Sequence, residues 1–296
     1  MIKGLALTPP VLGRISIGKV VEKNGKRLPE KDDQFTITSQ VQNKDGWVLH
    51  PTDEALRTAA NGKLRSIPIR VLFNDPDLNL RAEYSSFNRQ TGRPICVGDG
   101  ETCKRFTAEG FQSLPCPSPS MCEFGSKAGC KPYGRLTVLI EGQDDELGCF
   151  VFRTTGFNSI RTLAARLSYF KAVSGNLLSC LPLEMKLRGK STTQSHRAPV
   201  YYVDLTIRDG KTLDSAIAEA KATFDARTQV GHDQDALDEA ARLGFANGAF
   251  EEGEDEVPAV LEEFFPEELT GSGRATKSLQ DKLDSKTNAG QEGGSH

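Results

Sequence analysis

No run of about 18 apolar residues occurs anywhere in this chain of 296 residues, which excludes a membrane-spanning helix. The first residues hold only a short apolar stretch and no small-residue cleavage site, so no secretory signal is read and a cytoplasmic protein is expected. Aromatic residues are sparse at 7%, with a single Trp, and there are only four His. No glycine-rich phosphate loop of the Walker type is present, which argues against ATP hydrolysis, and no Ser-His-Asp or Cys-His arrangement is recognisable. An apolar fraction of 37% is nonetheless enough to build a core, so a wholly disordered chain is excluded.

A net charge of −3 conceals a division. From Lys211 onward 19 acidic residues face 8 basic ones, leaving 29 basic against 21 acidic in residues 1–210. A basic body favours polyanions, while an acidic tail either shields that body, binds a basic partner or simply keeps the chain soluble.

Alternating apolar residues predict strands at 13–21, 34–41 and 64–73, with a turn at Asn24-Gly25, and Pro68 marks the third as an edge strand or a bulge. Residues 135–141 and 148–154 read as a hairpin around Asp144-Asp145. Ile160, Leu163, Ala164, Leu167, Phe170 and Val173 recur at helical spacing over 158–173, with Asn158 or Ser159 as cap and Gly175 as stop. Strands at 182–187 and 200–207 and helices at 213–226 and 235–243 follow. The predicted fold is α+β: a mainly antiparallel sheet in a core of residues 1–210, a helical region at 211–249, and at 250–296 an acidic linker and a tail whose last segment, 271–296, has almost nothing to bury and is expected to be disordered.

Between residues 74 and 133 the periodicity vanishes, and the segment holds five of the seven cysteines and six prolines. Cys96, Cys103, Cys116, Cys122 and Cys130 are separated by 6, 12, 5 and 7 residues, without the two-residue pair of zinc ribbons and with no His among them. Reducing cytoplasm disfavours disulfides. An inserted loop at about 94–133 with little apolar content would gain order from a structural Zn2+ held by Cys103, Cys116, Cys122 and Cys130, with Cys96 as the substitute ligand. The competing reading is a surface loop of unliganded thiols. Cys149 and Cys180 lie in apolar contexts and read as packing residues.

Candidate nucleic-acid contacts are Arg65, Arg70, Arg81, Arg89 and Arg93, then Lys104, Arg105, Lys127 and Lys131, then Arg153, Arg161, Arg166, Lys171, Lys186, Arg188, Lys190 and Arg197. Tyr84, Phe87, Phe106 and Phe111 interleave with them as stacking platforms. The competing reading makes the cations a solvated face and the aromatics core. Glu184 and Lys186 form the Glu-x-Lys pair of metal-dependent nucleases, with Asp144 or Asp145 as a further acid, but such a pair also arises in any strand that turns Leu183, Met185 and Leu187 inward and the charged residues to solvent. His50 with Asp53, and His232 with Asp235, are weaker ligand pairs. Val260, Leu261, Phe264 and Phe265 form an apolar face among glutamates, readable as a partner-docking helix or as a last helix packing on its own domain.

Gly13-Arg14-Ile15-Ser16-Ile17-Gly18 and Leu28-Pro29-Glu30-Lys31-Asp32-Asp33-Gln34-Phe35-Thr36-Ile37-Thr38-Ser39 resemble the opening of the phage recombination directionality factors that accompany large serine integrases. The resemblance continues through the cysteine segment, Cys130-Lys131-Pro132-Tyr133-Gly134-Arg135-Leu136 and Phe152-Arg153-Thr154-Thr155-Gly156-Phe157-Asn158-Ser159-Ile160, and fades near Gly210. It implies a non-enzymatic factor that binds a serine integrase or another recombination protein, on DNA, in a phage or mobile element. A DNA-binding protein acting without an integrase is the alternative it leaves open. No catalytic residue is carried over.

Overall fold

The apolar alternation at 13–21 and 34–41 becomes an antiparallel hairpin, β1 (Val11–Lys23) and β2 (Lys26–Asn43), in a computed structural model that describes residues 10–23, 26–44, 46–143, 145, 148–191, 199–245 and 257–265, with backbone alone for 19–23, 26–31 and 245. The elements that follow are β3 (Gly46–Leu49), α1 (Pro51–Ala59), β4 (Ser66–Arg70), α2 (Pro76–Asn79), β5 (Leu80–Phe87), β6 (Pro94–Gly98), β7 (Thr102–Thr107), β8 (Gly110–Pro115), α3 (Glu123–Lys127), β9 (Lys131–Ile140), β10 (Cys149–Thr154) and α4 (Phe157–Val173). Then come a 3-10 turn (Leu178–Cys180), β11 (Leu183–Ser191), β12 (Pro199–Ile207), α5 (Leu213–Gln229), α6 (Gln234–Phe245) and α7 (Val257–Phe264). The described residues belong to a single unit. The expected turn at Asn24-Gly25, Asp144, Arg197, the acidic run 251–256 and the tail 271–296 lie outside the described residues.

The fold is α+β around one large, mostly antiparallel sheet in the order β3-β2-β1-β10-β9-β5-β6-β7-β8, with β4, β11 and β12 branching from β9. Only β1 and β10 run parallel among the described pairs. Ile15 stands opposite Ile37 and Phe152, and Leu136 stands opposite Phe152 and Leu80, so one apolar row crosses five strands. Against it pack Leu163, Leu167 and Phe170 of α4 and, from the branch, Ile67, Ile69, Leu183, Met185, Val203 and Leu205. Gly134 lets α4 approach the sheet closely: a Cβ there would lie 2.8 Å from Ile160 Cγ1. Helix α4 starts at Gly156 without a side-chain cap, rather than at Asn158 or Ser159, and Gly175 with φ +64° ends it as expected.

Three elements differ from the sequence expectation. Residues 74–133 are not an irregular loop but carry four strands and two short helices ahead of β9, because their ladder bonds do not need an apolar period. β4 is not an edge strand: it lies between β11 and β9. Pro68 costs only one ladder bond because it faces Glu141, just past the end of β9, where its carbonyl still accepts from Glu141 N. Between the strands read at 34–41 and 64–73 lie β3 and α1, which the sparse apolar content of 51–59 does not signal.

Helix α1 is fastened by charge rather than by a greasy face. Asp53 is buried and accepts from Ile37 N (2.7 Å) and from Arg57 Nε (2.5 Å), while Arg57 also donates to Gln34 Oε1 and the Phe35 carbonyl (both 2.6 Å). His50 caps α1, its Nδ1 accepting from Thr52 N, and its ring meets Phe150 edge-on at 5.0 Å. These contacts make His50 and Asp53 structural.

Asp53→Ala strands the Ile37 N–H and the Arg57 guanidinium and is expected to cost about 2–4 kcal/mol in a urea melt with unchanged slope. Burial lowers the His50 pKa from its ordinary 6.5. The unfolded chain therefore takes up the proton first, and stability contributed here falls as the pH drops below about 6.5. Melting temperatures compared between pH 8 and pH 5 should fall less for His50→Asn than for the parent chain.

Candidate functional site

The strand period of two that builds the apolar row also builds its opposite. Arg14, Arg153, Arg135 and Arg81 each adjoin a residue of that row and so point to the other face. Arg153 pairs with Arg135, Arg135 with Arg81, and Arg14 sits opposite Val151 on the diagonal to Arg153. Four adjacent strands thus carry an arginine row. Glu83 on β5 separates two of the charges, accepting from Arg81 Nη2 at 3.1 Å and from Arg135 Nη2 at 3.0 Å.

Helix α7 lies over the β1–β10 end of this row. An isolated helix of 8 residues is unstable in water, so its order comes from its seat. Val260 and Phe264 are buried with Phe87 and Tyr133, and the Phe264 ring meets those rings edge-on at 4.5 and 5.1 Å. Glu262 Oε2 accepts from Arg14 Nη2 at 3.0 Å and from Trp47 Nε1 at 2.7 Å, with the Arg14 guanidinium 3.9 Å over the Trp47 ring. Glu263 Oε1 accepts from Thr155 N at 2.7 Å, and Lys131 Nζ donates to the Phe264 carbonyl at 2.9 Å. Arg89 lies 4.9 Å over Phe265. Burial lowers the Arg14 pKa, with Glu262 acting against it. The apolar face read from Val260, Leu261, Phe264 and Phe265 is therefore turned onto the chain's own sheet: Val260 and Phe264 fully, Leu261 and Phe265 in part.

At the far edge, β6, β7, β8 and α3 form an arm that brings the five clustered cysteines together. Cys96 lies on β6 and Cys103 on β7, Cys116 follows β8, Cys122 caps α3, and Cys130 precedes β9. Two glycines let them approach. A Cβ at Gly98 would stand 2.7 Å from Cys103 Cβ and 2.8 Å from Cys116 Sγ, and one at Gly125 would stand 3.2 Å from the Cβ of both Cys122 and Cys130. Gly125 N donates to Cys122 Sγ at 3.3 Å, and Arg105, stacked 4.0 Å over Phe124, donates to the same sulfur at 3.8 Å. Burial, then the neighbouring thiols, push Cys103 up to about 11 and Cys130 up to about 12. Burial opposes the Arg105 charge, but the hydrogen bond to Cys96 and the other thiols outweigh it and raise that pKa. As arranged, no group of three or more His, Cys, Asp or Glu among the described residues is close enough to hold a metal ion. Cys149 and Cys180 are buried in the main body.

The basic candidates separate into two sets. Arg89, Arg93, Lys104, Lys127, Lys131 and Arg161 are exposed. Arg81, Arg105 and Arg153 are turned inward: Arg81 to Glu83, Arg105 to the thiols, and Arg153 into the arginine row beneath α7. Arg70 is structural, tying Glu141, the Cys180 carbonyl and Glu219 together. Of the aromatics, Phe106 and Phe111 meet edge-on at 5.2 Å on the exposed tip of the β7–β8 hairpin, whereas Phe87 is core to the α7 seat. Sequence reasoning missed Arg14, Trp47 and Arg135. Their signal was present, since each of the two arginines adjoins a core residue of a strand, but the neighbouring strand order was needed to align them.

The Glu184 side chain does not face solvent as expected. It is 4% exposed, accepts from Asp209 N at 3.1 Å and pairs with Lys186 at 3.1 Å. Lys186 also bonds Asp209, and that bond, against the effect of burial, raises its pKa. These contacts close the open end of the β11–β12 pair. Asp145 lies in the β9–β10 connection and joins no metal-holding group among the described residues. His232 contacts Gln234 at 3.3 Å and is exposed.

No helix of the described residues is long and apolar enough to cross a membrane. No curated protein and no solved structure matches the chain. A family model described as Gp3-like, recombination directionality factor-like, matches residues 12–208, a span that contains the arginine row, the cysteine arm and the seat of α7. With about two thirds of its length matched, the chain belongs to the Gp3-like, recombination directionality factor-like family.

Proposed function

We propose that the chain is a non-enzymatic accessory factor in DNA recombination of a phage or mobile element, acting on a serine integrase or another recombination protein at DNA, in the cytoplasm. The observation that carries this reading is the family match over 12–208. Exposed Arg89, Arg93, Lys104, Lys127 and Arg161 supply the phosphate contacts, and the aromatic pair Phe106 and Phe111 at the hairpin tip supplies a stacking surface. The chemistry of an all-sulfur donor set supports a structural Zn2+ on Cys103, Cys116, Cys122 and Cys130, with Cys96 as the substitute, and glycines at 98 and 125 sit against two pairs of these cysteines, although the thiols as arranged would have to close on the ion. The ion would supply cross-linking to an arm that contributes to none of the main core.

Pull-down of a serine integrase in the presence of attachment-site DNA tests the function: retention of integrase by the chain supports it, and a chain that neither binds integrase nor alters the direction of recombination overturns it. Elemental assay of the full chain is expected to find about one zinc per chain, lost in Cys116→Ser and kept in Cys149→Ser. The DNA reading has its own measure. In gel shifts over a salt series, Lys104→Ala and Lys127→Ala should each weaken binding and lower the log–log salt slope by about 1, whereas a flat response in the parent chain excludes phosphate-driven contact. DNA binding with no integrase contact would favour the alternative of a factor acting alone.

A further inference from the structure

The seat of α7 reads a helix, and reads it with acid on it. Lys131 donates to the last carbonyl of α7, a group that a helix C-terminus leaves unsatisfied and that no nucleic acid presents in that form. Phe87 and Tyr133 close edge-on around a phenyl ring four residues beyond an aliphatic one, Val260, which is one turn of a helix. Between those anchors two consecutive carboxylates go to different places: Glu262 to Arg14 and Trp47, Glu263 to Thr155. A groove that combines two apolar anchors, a cation for the helix end and an arginine for the carboxylate is complementary to an acidic amphipathic helix in shape and in charge.

The receptor and its occupant also have different standing in the chain. Arg14, Trp47, Phe87, Lys131, Tyr133 and Thr155 all fall within the matched residues 12–208, whereas α7 lies beyond them. We propose that this groove is a docking site for an acidic amphipathic helix of a protein partner, and that α7 is a tethered competitor that fills it until the partner arrives. The partner segment carries an aliphatic residue, an aromatic residue four positions later and paired carboxylates between them. Binding in trans requires α7 to leave, so the affinity measured for the intact chain is reduced by the fraction of molecules in which the groove is open. Two of the exposed cations, Lys131 and Arg89, border the groove, and Lys131 directly follows Cys130 of the cysteine arm.

The probe is a labelled synthetic peptide of residues 255–267, followed by anisotropy, with the single tryptophan, Trp47, as an internal reporter. The full chain carrying Val260→Ala and Phe264→Ala opens the groove and is expected to bind the peptide about tenfold or more tightly than the parent chain. Trp47 emission should change on opening and return when peptide is added. Adding Lys131→Ala, an exposed site whose loss leaves the sheet intact, should weaken peptide binding several-fold, as should Gln in place of Glu262 and Glu263 in the peptide. If the double variant fails to melt cooperatively, the full chain with Glu262→Gln and Glu263→Gln opens the groove while keeping the apolar anchors, and the same gain is expected. A cooperatively folded opened chain that ignores the peptide overturns the proposal. So does a single-stranded oligonucleotide that restores the Trp47 signal where the peptide does not, because the groove would then belong to nucleic acid.

Discussion

A guanidinium removed from water must meet an acceptor or a ring, and this protein removes several on one sheet face. Arg14 is 8% and Arg153 7% exposed, and Arg135 and Arg81 are mostly covered. Neighbouring strands place these like charges side by side, an arrangement that is costly unless carboxylates are interposed. Glu83 meets that need between β5 and β9, and Glu262 and Glu263 bring it to the β1–β10 end from the far end of the chain. The position of α7, the orientation of Trp47 and the covering of Phe87 and Tyr133 all follow from that requirement.

The acidic excess after residue 210 takes on a local meaning here. A small part of it is spent on specific bonds to the basic body, and the segment that makes them is short, amphipathic and ordered by its seat. Of the roles that composition leaves open for an acidic tail, shielding is the one these contacts perform: Glu262 covers Arg14 at one end of the arginine row. The cysteine arm depends on a different interaction. It contributes nothing to the main apolar cluster, and two pairs of its cysteines approach because glycines at 98 and 125 leave room that a Cβ would fill. That convergence is the physical basis for the zinc proposal.

Strands and helices with a full apolar period were legible along the chain: β1, β2, β10, β11, β12, α4, α5 and α6 fall close to their expected places. The segment 74–133 was not, because β5 to β8 pair through backbone bonds while their other positions carry Lys, Gln, Ser and exposed Phe, and two of the buried ones are Cys96 and Cys103, which read as metal ligands rather than as core. Helix α1 was missed for the same reason, its anchor being Asp53 and Arg57 rather than an apolar stripe. Glu184 looked like a solvent-facing half of a catalytic pair, and burial came from the turn after β12, which folds Asp209 N onto its carboxylate.

Local order and family membership were written into residue periodicity and short motifs, since both depend on neighbours close along the chain. The pairing partners were not. That Arg14 finds Glu262, that Phe264 finds Phe87 and Tyr133, and that Cys103 finds Cys116 across Gly98 depends on strand order and register, which bring together groups up to 248 positions apart. A pattern of one residue every two or every 3.6 specifies which face a side chain takes. Only the folded sheet decides what lies opposite that face, because that is set by the joint burial of every strand and not by any one of them.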